Sequence, residues 1–263
     1  MNDRIVVEIE RGVADVRLAR ALKRNALDEQ MFAALVETGA RLAREPGLRA
    51  VVLSGEGSVF CAGIDIDTLE RLRGGAPRAL MRRTHGFTNI YQQAVWTWHE
   101  LPVPVIAAVH GVAFGGGFQL TLGADIRVAA PDARFSVMEI CWGLVPDMGG
   151  TQLMHKLARD DVIRDLTYTG RIFSSDEALA YGLVTRVCRD PHLQASAIAR
   201  EIAGHSPDAV RAAKRLLNEA TAHLPPGAGL LSESRAQERL IGSENHREAV
   251  RARIEHRPPH FKD

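Results

Sequence analysis

Two short apolar segments of this chain each run into a glycine-containing stretch, and this pattern restricts the fold more than any other feature. Residues 50–53 (AVVL) precede FCAGIDI at 60–66, and residues 103–109 (VPVIAAV) precede GVAFGGGFQL at 111–120. Apolar runs of this length are typical of buried parallel strands. A further short strand is expected at 126–129, after a helix that starts in the second stretch. The recurrence predicts an α/β fold built from strand–turn–helix units.

The flanking segments carry further helix and strand patterns. Alternating polar and apolar residues indicate strands. A Ser or Asp directly before a helical pattern indicates a helix start, and a Glu three residues after the Ser indicates a capping box. These patterns predict two strands within residues 5–18, a helix from an Asp28 cap to about Arg44, a mobile loop followed by a helix over 69–99, a short helix capped by Ser174 and Glu177, and a strand at 183–187.

The last third of the chain reads as helical. From about residue 191 it is rich in Ala, Arg, Glu and Leu at helical spacing, with breaks at 206–207 and 225–226. We therefore predict a core domain over residues 1–195 and a C-terminal helical region over 196–263. The apolar stripes of these helices need a partner surface, either the core or another subunit.

Composition excludes several classes of function. Among 263 residues, 33 Lys and Arg balance 32 Asp and Glu for a net charge of +1, so nucleic acid is not an expected partner. The three cysteines are widely spaced and form no metal-binding cluster with histidine, so neither a metal nor a disulfide framework is expected. We expect a cytoplasmic protein with no signal peptide and no membrane-spanning segment.

The two glycine stretches suggest a site for a negatively charged oxygen. A glycine turn that opens a helix leaves backbone N–H groups unpaired, and the helix dipole favours negative charge there. Two such donors from separate segments could form an oxyanion hole, although either stretch alone could equally be a turn for close packing. The nucleotide-binding patterns GxGxxG and GxxxxGK[ST] and the nucleophile pattern GxSxG are absent, which argues against those chemistries.

Taken together, the motifs resemble the crotonase superfamily, also called the enoyl-CoA hydratase/isomerase family. The resemblance extends over essentially the whole chain. It is carried by FCAGIDI at 60–66, the highly specific PVPVIAAVHGVAFGGGFQLTLGADIRVAA at 102–130, and FSVMEICWGLVPDMGGTQ at 135–152, with support from ALKRNALD at 21–28 and HFKD at 260–263.

This resemblance implies a spiral of ββα units with a helical C-terminal trimerisation region. It implies an acyl-CoA thioester as substrate, with coenzyme A as part of the substrate and no separate cofactor. The enolate oxygen would be held by the backbone N–H groups of Ile64 and Gly116. The residues implied to bind substrate or coenzyme A are Lys23, Arg24, Ala62, Gly63, Asp65, Ile66 and Gly115, together with Phe261 and Lys262. A neighbouring subunit could supply the last two.

The resemblance also locates the acid–base residues. Hydratases of the family use two glutamates that hold a water, and the first of these positions is Gln119 here. An amide can orient a water but cannot act as its base. The second position is Glu139, which lies in an apolar run where burial would raise its pKa toward neutrality. Without the resemblance, Glu139 would read as a strand-edge salt-bridge partner.

Asp147 occupies a position where family hydratases carry a small residue, commonly glycine. With an aspartate at this position the chain resembles the dienoyl-CoA isomerase branch of the family. In that branch a Glu and an Asp, at the positions of Glu139 and Asp147 here, face each other across the acyl chain. Asp147 could also cap a helix starting near Gly149. That branch has a carboxylate where this chain has Gln119, so the match is partial.

These residues favour proton shuttling by Glu139, with help from Asp147, over water addition. Hydration of a trans-2-enoyl-CoA is the alternative reaction, and decarboxylation or thioester hydrolysis would use the same oxyanion hole. The alternative from another class of function is a non-catalytic homologue that binds acyl-CoA or RNA. The retained Glu139 and Asp147 argue against a non-catalytic acyl-CoA binder, and the near-zero net charge argues against RNA binding. A homo-oligomer, either a trimer or a dimer of trimers, is implied by the resemblance.

Overall fold

The computed structural model describes residues 3–73, 80–220 and 226–263. Nine strands are present in this part of the chain. They are β1 (Ile5–Glu10), β2 (Val13–Leu18), β3 (Ala50–Gly55), β4 (Val105–Val109), β5 (Val112–Phe114), β6 (Ile126–Ala129), β7 (Arg134–Ser136), β8 (Phe173–Ser174) and β9 (Arg186–Val187).

Helices fill the connections between strands and form the C-terminal part. They are α1 (Glu29–Leu42), α2 (Ile66–Arg73), α3 (Ile90–Glu100), α4 (Gly116–Leu122), α5 (Gly150–Met154), α6 (Asp160–Thr169), α7 (Ser175–Ala180), α8 (Pro191–Ala203), α9 (Pro207–Ala220), α10 (Pro226–Leu240) and α11 (Glu244–Ile254). The described residues also form two short 3-10 helices, Ala21–Lys23 and Met138–Trp142.

The strands form two sheets, and the chain passes repeatedly between them. The larger sheet has the order β1-β2-β3-β4-β6-β9, parallel throughout except for the β1–β2 hairpin. The smaller sheet has the order β5-β7-β8. Because β4 and β6 lie in one sheet and the strands that follow them, β5 and β7, lie in the other, the chain winds as a spiral. The predicted crotonase-like α/β fold is confirmed.

The central strands are buried on both faces, as their continuous apolar sequences require. Alternate residues such as Val51, Leu53 and Ala107 belong to the main core, which also contains the apolar face of α1. The intervening residues, such as Val52 and Ile106, pack in a second cluster with Ala195, Ile198 and Ala199 of α8. Thus α8, which spans the predicted boundary between residues 195 and 196, packs with the core. The division into two domains stays a prediction.

Capping patterns located helix starts well. The Asp28 carboxylate accepts a hydrogen bond from Met31 N at the start of α1. Ser174 and Glu177 form both bonds of the predicted capping box at α7. Short elements were harder to predict, because β5 and α2 were missed and the strand expected at 183–187 is reduced to Arg186–Val187.

The C-terminal helices α8 and α9 are separated by the break predicted at 206–207, and an unpredicted break at Gly242-Ser243 separates α10 from α11. The expected mobile loop within 69–99 coincides in part with residues 74–79, and the break at 225–226 begins at residue 225. Both positions lie outside the described residues. Within the described part of the chain, no helix has the length and apolar character needed to cross a membrane.

Candidate active site

A cavity of about 800 Å³ opens at the carboxyl ends of β3 and β4, where both glycine stretches lie. The structure brings eleven of the predicted site residues together in the wall of this cavity. They are Lys23, Arg24, Ala62, Gly63, Ile64, Asp65, Ile66, Gly115, Gly116, Glu139 and Asp147.

Backbone pairing holds the two glycine stretches against each other. Cys61 N donates to Val112 O at 3.0 Å and Phe114 N donates to Cys61 O at 3.1 Å, so the first stretch pairs with β5. Gly63, at φ +93°, crosses this strand so closely that a Cβ atom would lie 2.6 Å from Phe114 O. A glycine is therefore required at this position for both steric and conformational reasons.

This packing leaves the Ile64 and Gly116 N–H groups available. Leu27 N donates to Gly63 O, and Asp65 N donates to Leu27 O. In this parallel bridge the N–H of the intervening Ile64 points away from Leu27. Gly116 is the first residue of α4, where an N–H has no intrahelical acceptor. Neither N–H has a hydrogen-bond acceptor among the described residues, and the close approach of Gly63 to Gly116 places both at one side of the cavity.

Asn25, which the sequence analysis did not identify, fixes the turn that precedes the first glycine stretch. Its buried side-chain nitrogen donates to three carbonyl oxygens, of Glu56, Val59 and Phe60, at 2.9 to 3.1 Å. Its oxygen accepts from Arg20 N. Its left-handed backbone, at φ +54°, is one that asparagine adopts more readily than most residues. An Asn inside a basic loop was the only sequence signal for this role.

Asp65 lines the cavity, but its carboxylate is engaged within the loop. It forms a buried ion pair with Arg20 and accepts from Asp67 N at 2.9 Å. Burial acts to raise the pKa of Asp65, but the Arg20 and backbone bonds outweigh it and hold the pKa below its ordinary value. Arg20, also missed from sequence, thus anchors the Asp65 side chain. The predicted contact of Asp65 with substrate stays a prediction.

Lys23 and Arg24 are exposed at the mouth of the cavity, where cations could meet phosphate groups. Phe261 and Lys262 are not brought to this cavity within one chain. Lys262 exchanges two backbone bonds with the Asn245 side chain, and the adjacent Asp263 pairs with Arg49, which precedes β3. The tail therefore lies at the opposite end of β3 from the cavity, and the predicted contact of Phe261 and Lys262 with substrate stays a prediction.

Glu139 lies in the 3-10 helix Met138–Trp142, not at the edge of a strand. Its carboxylate rests against Gly115, where a Cβ atom would be 3.3 Å from Oε1. Oε2 is buried and has no hydrogen-bond partner among the described residues. The backbone of Gly115, at φ +51°, thus lets a carboxylate lie directly beside the start of α4.

Burial is the main cause of a raised pKa at Glu139, and the charge of Asp147 acts in the same direction. Backbone hydrogen bonding and the bond from Gln119 act against it. A carboxylate of this kind is a stronger base than a solvated one, which suits removal of a carbon-bound proton.

Gln119 does not line the cavity, because its side chain lies behind Glu139. It is 1% exposed. Its Nε2 donates to Glu139 Oε1 at 2.6 Å, and its Oε1 accepts from both Met148 N and Gly150 N at 3.0 Å. In this structure the amide contacts Glu139 directly, whereas the sequence analysis considered it as a holder of water.

Asp147 lines the same cavity and is itself exposed. The prediction that it caps the next helix is wrong, since α5 begins at Gly150 with Gly149 at the N-cap and no side-chain capping bond. The bond from Met148 N to Gln119 Oε1 holds the adjoining backbone. Asp147 is therefore placed by the turn and is directed to the cavity instead of to a helix start.

The remaining walls are apolar. Many of these residues lie inside the stretches that carry the family resemblance, but the sequence analysis did not identify them as parts of the site. They include Leu22, Ala26, Leu27, Phe32, Leu69, Leu80, Tyr91, Phe114, Met138, Trp142, Leu144, Val145 and Met148. The cavity thus combines an apolar interior with two carboxylates and two available N–H groups, which suits a hydrocarbon chain attached to a polar carbonyl.

Comparison with known proteins agrees with this reading. The family model for enoyl-CoA hydratase/isomerase matches residues 8–263. The crystal structure of enoyl-CoA hydratase from Bacillus anthracis superposes with a TM-score of 0.88 at 32% identity, covering 98% of this chain and 99% of that one.

Isomerases are among the similar curated proteins. The chain is 37% identical over 218 residues to the mitochondrial Δ(3,5)-Δ(2,4)-dienoyl-CoA isomerase of Homo sapiens, a match that covers 80% of this chain and 66% of that protein. It is 33% identical over 265 residues to the 1,2-epoxyphenylacetyl-CoA isomerase of Escherichia coli K12, covering 99% of both.

Proposed function

Because this chain belongs to the enoyl-CoA hydratase/isomerase family, we propose that it moves a carbon–carbon double bond in an enoyl- or dienoyl-CoA thioester. The observation that carries the proposal is the unbonded Glu139 Oε2, buried beside the start of α4. One basic oxygen next to two unpaired N–H groups can take a proton from C2 while the thioester oxygen gains charge.

The reaction begins with proton transfer from C2 of a 3-enoyl-CoA to Glu139. The electrons of the C2–H bond form a C1–C2 double bond, and the negative charge moves to the thioester oxygen. The Ile64 and Gly116 N–H groups stabilise that oxygen, each contributing about 3 kcal/mol to the transition state. Glu139 then returns the proton to C4, and the double bond lies between C2 and C3.

Asp147 extends this scheme to a conjugated substrate. When a 3,5-dienoyl-CoA loses its C2 proton, the charge is delocalised as far as C6. Protonation at C6 by Asp147 gives the 2,4-diene, and the proton held by Glu139 passes to solvent while Asp147 is reprotonated. The presence of both carboxylates in one apolar cavity supports this role.

We propose that the coenzyme A phosphates lie at the mouth, near Lys23 and Arg24. Association of copies is supported by exposed apolar side chains in the C-terminal helical region, at Leu217, Leu230, Leu231, Ile241, Val250 and Ile254. In a trimer or dimer of trimers, the tail of one copy, with Phe261 and Lys262, would complete the binding site of another.

Chromatography of the products tests the proposal. Purified protein is incubated separately with a trans-3-enoyl-CoA and a 3,5-dienoyl-CoA. The proposal expects a conjugated 2-enoyl- or 2,4-dienoyl-CoA to accumulate without 3-hydroxyacyl-CoA. Rapid formation of the 3-hydroxy product would favour hydration instead, and unchanged substrates would favour a non-catalytic role.

A further inference from the structure

We propose that the chain has a second binding site, for a carboxylate that carries an aliphatic chain, where the core meets the C-terminal helices. The site is a cavity of about 800 Å³ between the end of α3, α9 and α10. It shares no lining residue with the candidate active site among the described residues, so it is a separate cavity.

The wall of this second cavity carries more positive than negative charge. Five cationic side chains and three carboxylates line it, and they are Lys156, Arg211, Lys214, Arg215 and Arg239 against Glu100, Asp208 and Glu219. His99 also lines the cavity but is neutral at pH 7, because burial lowers its pKa to about 4. The excess of two positive charges favours an anionic ligand.

The three carboxylates are already engaged within the protein. Their partners are the indole N–H of Trp96 for Glu100, the side-chain amide of Asn245 for Asp208, and the guanidinium of Arg215 for Glu219. One further cation is also satisfied, since Lys214 is 6% exposed and pairs with Asp125 at 2.8 Å. These groups form a built wall in which every negative charge has a donor.

Three cations in the same wall have no carboxylate partner among the described residues. Lys156 Nζ lies 3.4 Å from Nε2 of the neutral His99 ring. Arg211 donates to Leu48 O, but its Nε is buried without an acceptor. The Arg239 side chain has no hydrogen bond or ion pair within the described part of the chain. Because a buried donor without an acceptor is uncommon, an anion bound here would supply what these groups lack.

The rest of the wall determines the kind of anion. It is apolar and comprises Trp96, Leu101, Pro102, Ala212, Ala236 and Leu240. A small inorganic anion would leave this surface uncovered, whereas an aliphatic chain would bury it. The guanidinium of Arg239 can bind a carboxylate through two parallel hydrogen bonds. A carboxylate with an aliphatic chain therefore fits both parts of the cavity.

Trp96 connects this cavity to the candidate active site. A Cβ atom on Gly149 would lie 3.3 Å from Trp96 Cε3, so the indole packs against the N-cap of α5. Gly149 is two residues beyond Asp147, which lines the active-site cavity. A ligand in the second cavity would thus contact a ring that supports the turn carrying Asp147, and Trp96 fluorescence can report its binding.

The first test is calorimetric titration of the full chain with decanoate. We expect decanoate to bind at least tenfold more tightly than decanol, which has the same chain without the charge. Acetate, which has the charge without the chain, should not bind. Arg239→Gln should weaken decanoate binding at least fivefold. Arg235→Gln makes the same change one turn earlier on the exposed surface of α10, outside the cavity, and should stay within twofold of the wild type.

The second test locates the bound decanoate by tryptophan fluorescence. Trp96 lines the second cavity and Trp142 lines the active-site cavity. Decanoate should change the emission of the wild type and of Trp142→Phe, but not that of Trp96→Phe. The reverse pattern would place decanoate in the active-site cavity and overturn the inference.

Two calorimetric results would also overturn it. One is equal affinity of Arg239→Gln and Arg235→Gln for decanoate. The other is no binding at all, as expected if a second copy of the chain fills the cavity. None of these measurements needs turnover, so the second site stands or falls independently of the proposed reaction.

Discussion

Glu139 and Asp147 have different surroundings, and this difference separates their proposed roles. Glu139 lies against backbone, with one oxygen bonded to Gln119 and the other buried and unbonded. Asp147 is exposed at the cavity. The first suits removal of a proton close to the thioester, and the second suits proton exchange with solvent.

Asp147→Asn should therefore affect two substrates unequally. An amide cannot deliver a proton to C6, so turnover of a 3,5-dienoyl-CoA should fall at least 100-fold. Conversion of a 3-enoyl-CoA should stay within threefold of the wild type, because Glu139 completes that reaction alone. Steady-state rates with both substrates measure the difference, with Asp161→Asn on the exposed surface of α6 as the control. Equal losses on both substrates would contradict the assignment.

At the residue scale, sequence identified the groups with distinctive chemistry but not their supports. Glu139 and Asp147 were recognised by position within a motif. Arg20 and Asn25 were missed because polar residues in a loop are ordinarily solvated, and only the fold shows that they bond to buried partners. The contact between Gln119 and Glu139 joins residues 20 positions apart and could not be read from either segment alone.

Among the elements, the first glycine stretch and the β5–α4 turn form a single unit. Gly63 is the point of closest approach, where only a residue without Cβ fits beside Phe114 O. The two N–H groups proposed to hold the enolate oxygen belong to the two different segments that meet at this contact, Ile64 in the first and Gly116 in the second. Their spacing therefore depends on packing between two turns.

Gly63→Ala should separate the two turns and weaken the oxyanion hole. The added Cβ would meet Phe114 O at 2.6 Å in a backbone that disfavours alanine. Losing one well-placed donor costs about 3 kcal/mol, so kcat should fall about 100-fold or more. Gly242→Ala has a similar positive φ but nothing within 4 Å of its Cβ, and it should lose little activity. Retention of full activity by Gly63→Ala would contradict the proposed role of the contact.

Sequence predicted elements best where a local rule decides the structure. The caps of α1 and α7 depend on side chains three residues apart, so they are visible in the sequence. The three-residue strand β5 depends on pairing with β7 about 20 residues later. Such a strand has too few residues to show a periodic pattern and was predicted only as part of a turn.

For the whole molecule, the junction between the core and the C-terminal helices carries buried charge. The side chain of Lys214 in α9 is buried against the core. Its ammonium group pairs with Asp125 and donates to the backbone carbonyls of Trp98 and Val103. His99, at the end of α3, faces the same junction. Burial lowers its pKa to about 4, and the charges of Lys156 and Lys214 contribute.

This lowered pKa predicts a loss of stability in mild acid. Below about pH 6.5 the unfolded chain gains a proton at His99 that the folded protein resists until about pH 4. The free energy of unfolding should therefore fall by about 2 kcal/mol from this group between pH 7 and pH 5. Urea titrations at both values should show a smaller fall in His99→Gln. An equal fall in both proteins would rule out His99 as the source.

The overall topology was predictable because the strand–glycine–helix recurrence and the family resemblance agree. The shape of the cavity was not, since its apolar wall combines residues from at least six segments, and only the fold shows which of their side chains face the cavity. Similarly, the sequence suggested the tail residues Phe261 and Lys262 as part of the site, but only the fold places them at the far end of β3 from their own cavity.

The most direct test of the account is the rate of Glu139→Gln with a trans-3-enoyl-CoA, measured beside its affinity for an unreactive acyl-CoA. The amide preserves shape and can still accept from Gln119, but it cannot take a proton from C2. The account predicts a rate at least 1000-fold below wild type with affinity within threefold. A variant that retains more than a tenth of the wild-type rate would show that another group removes the proton.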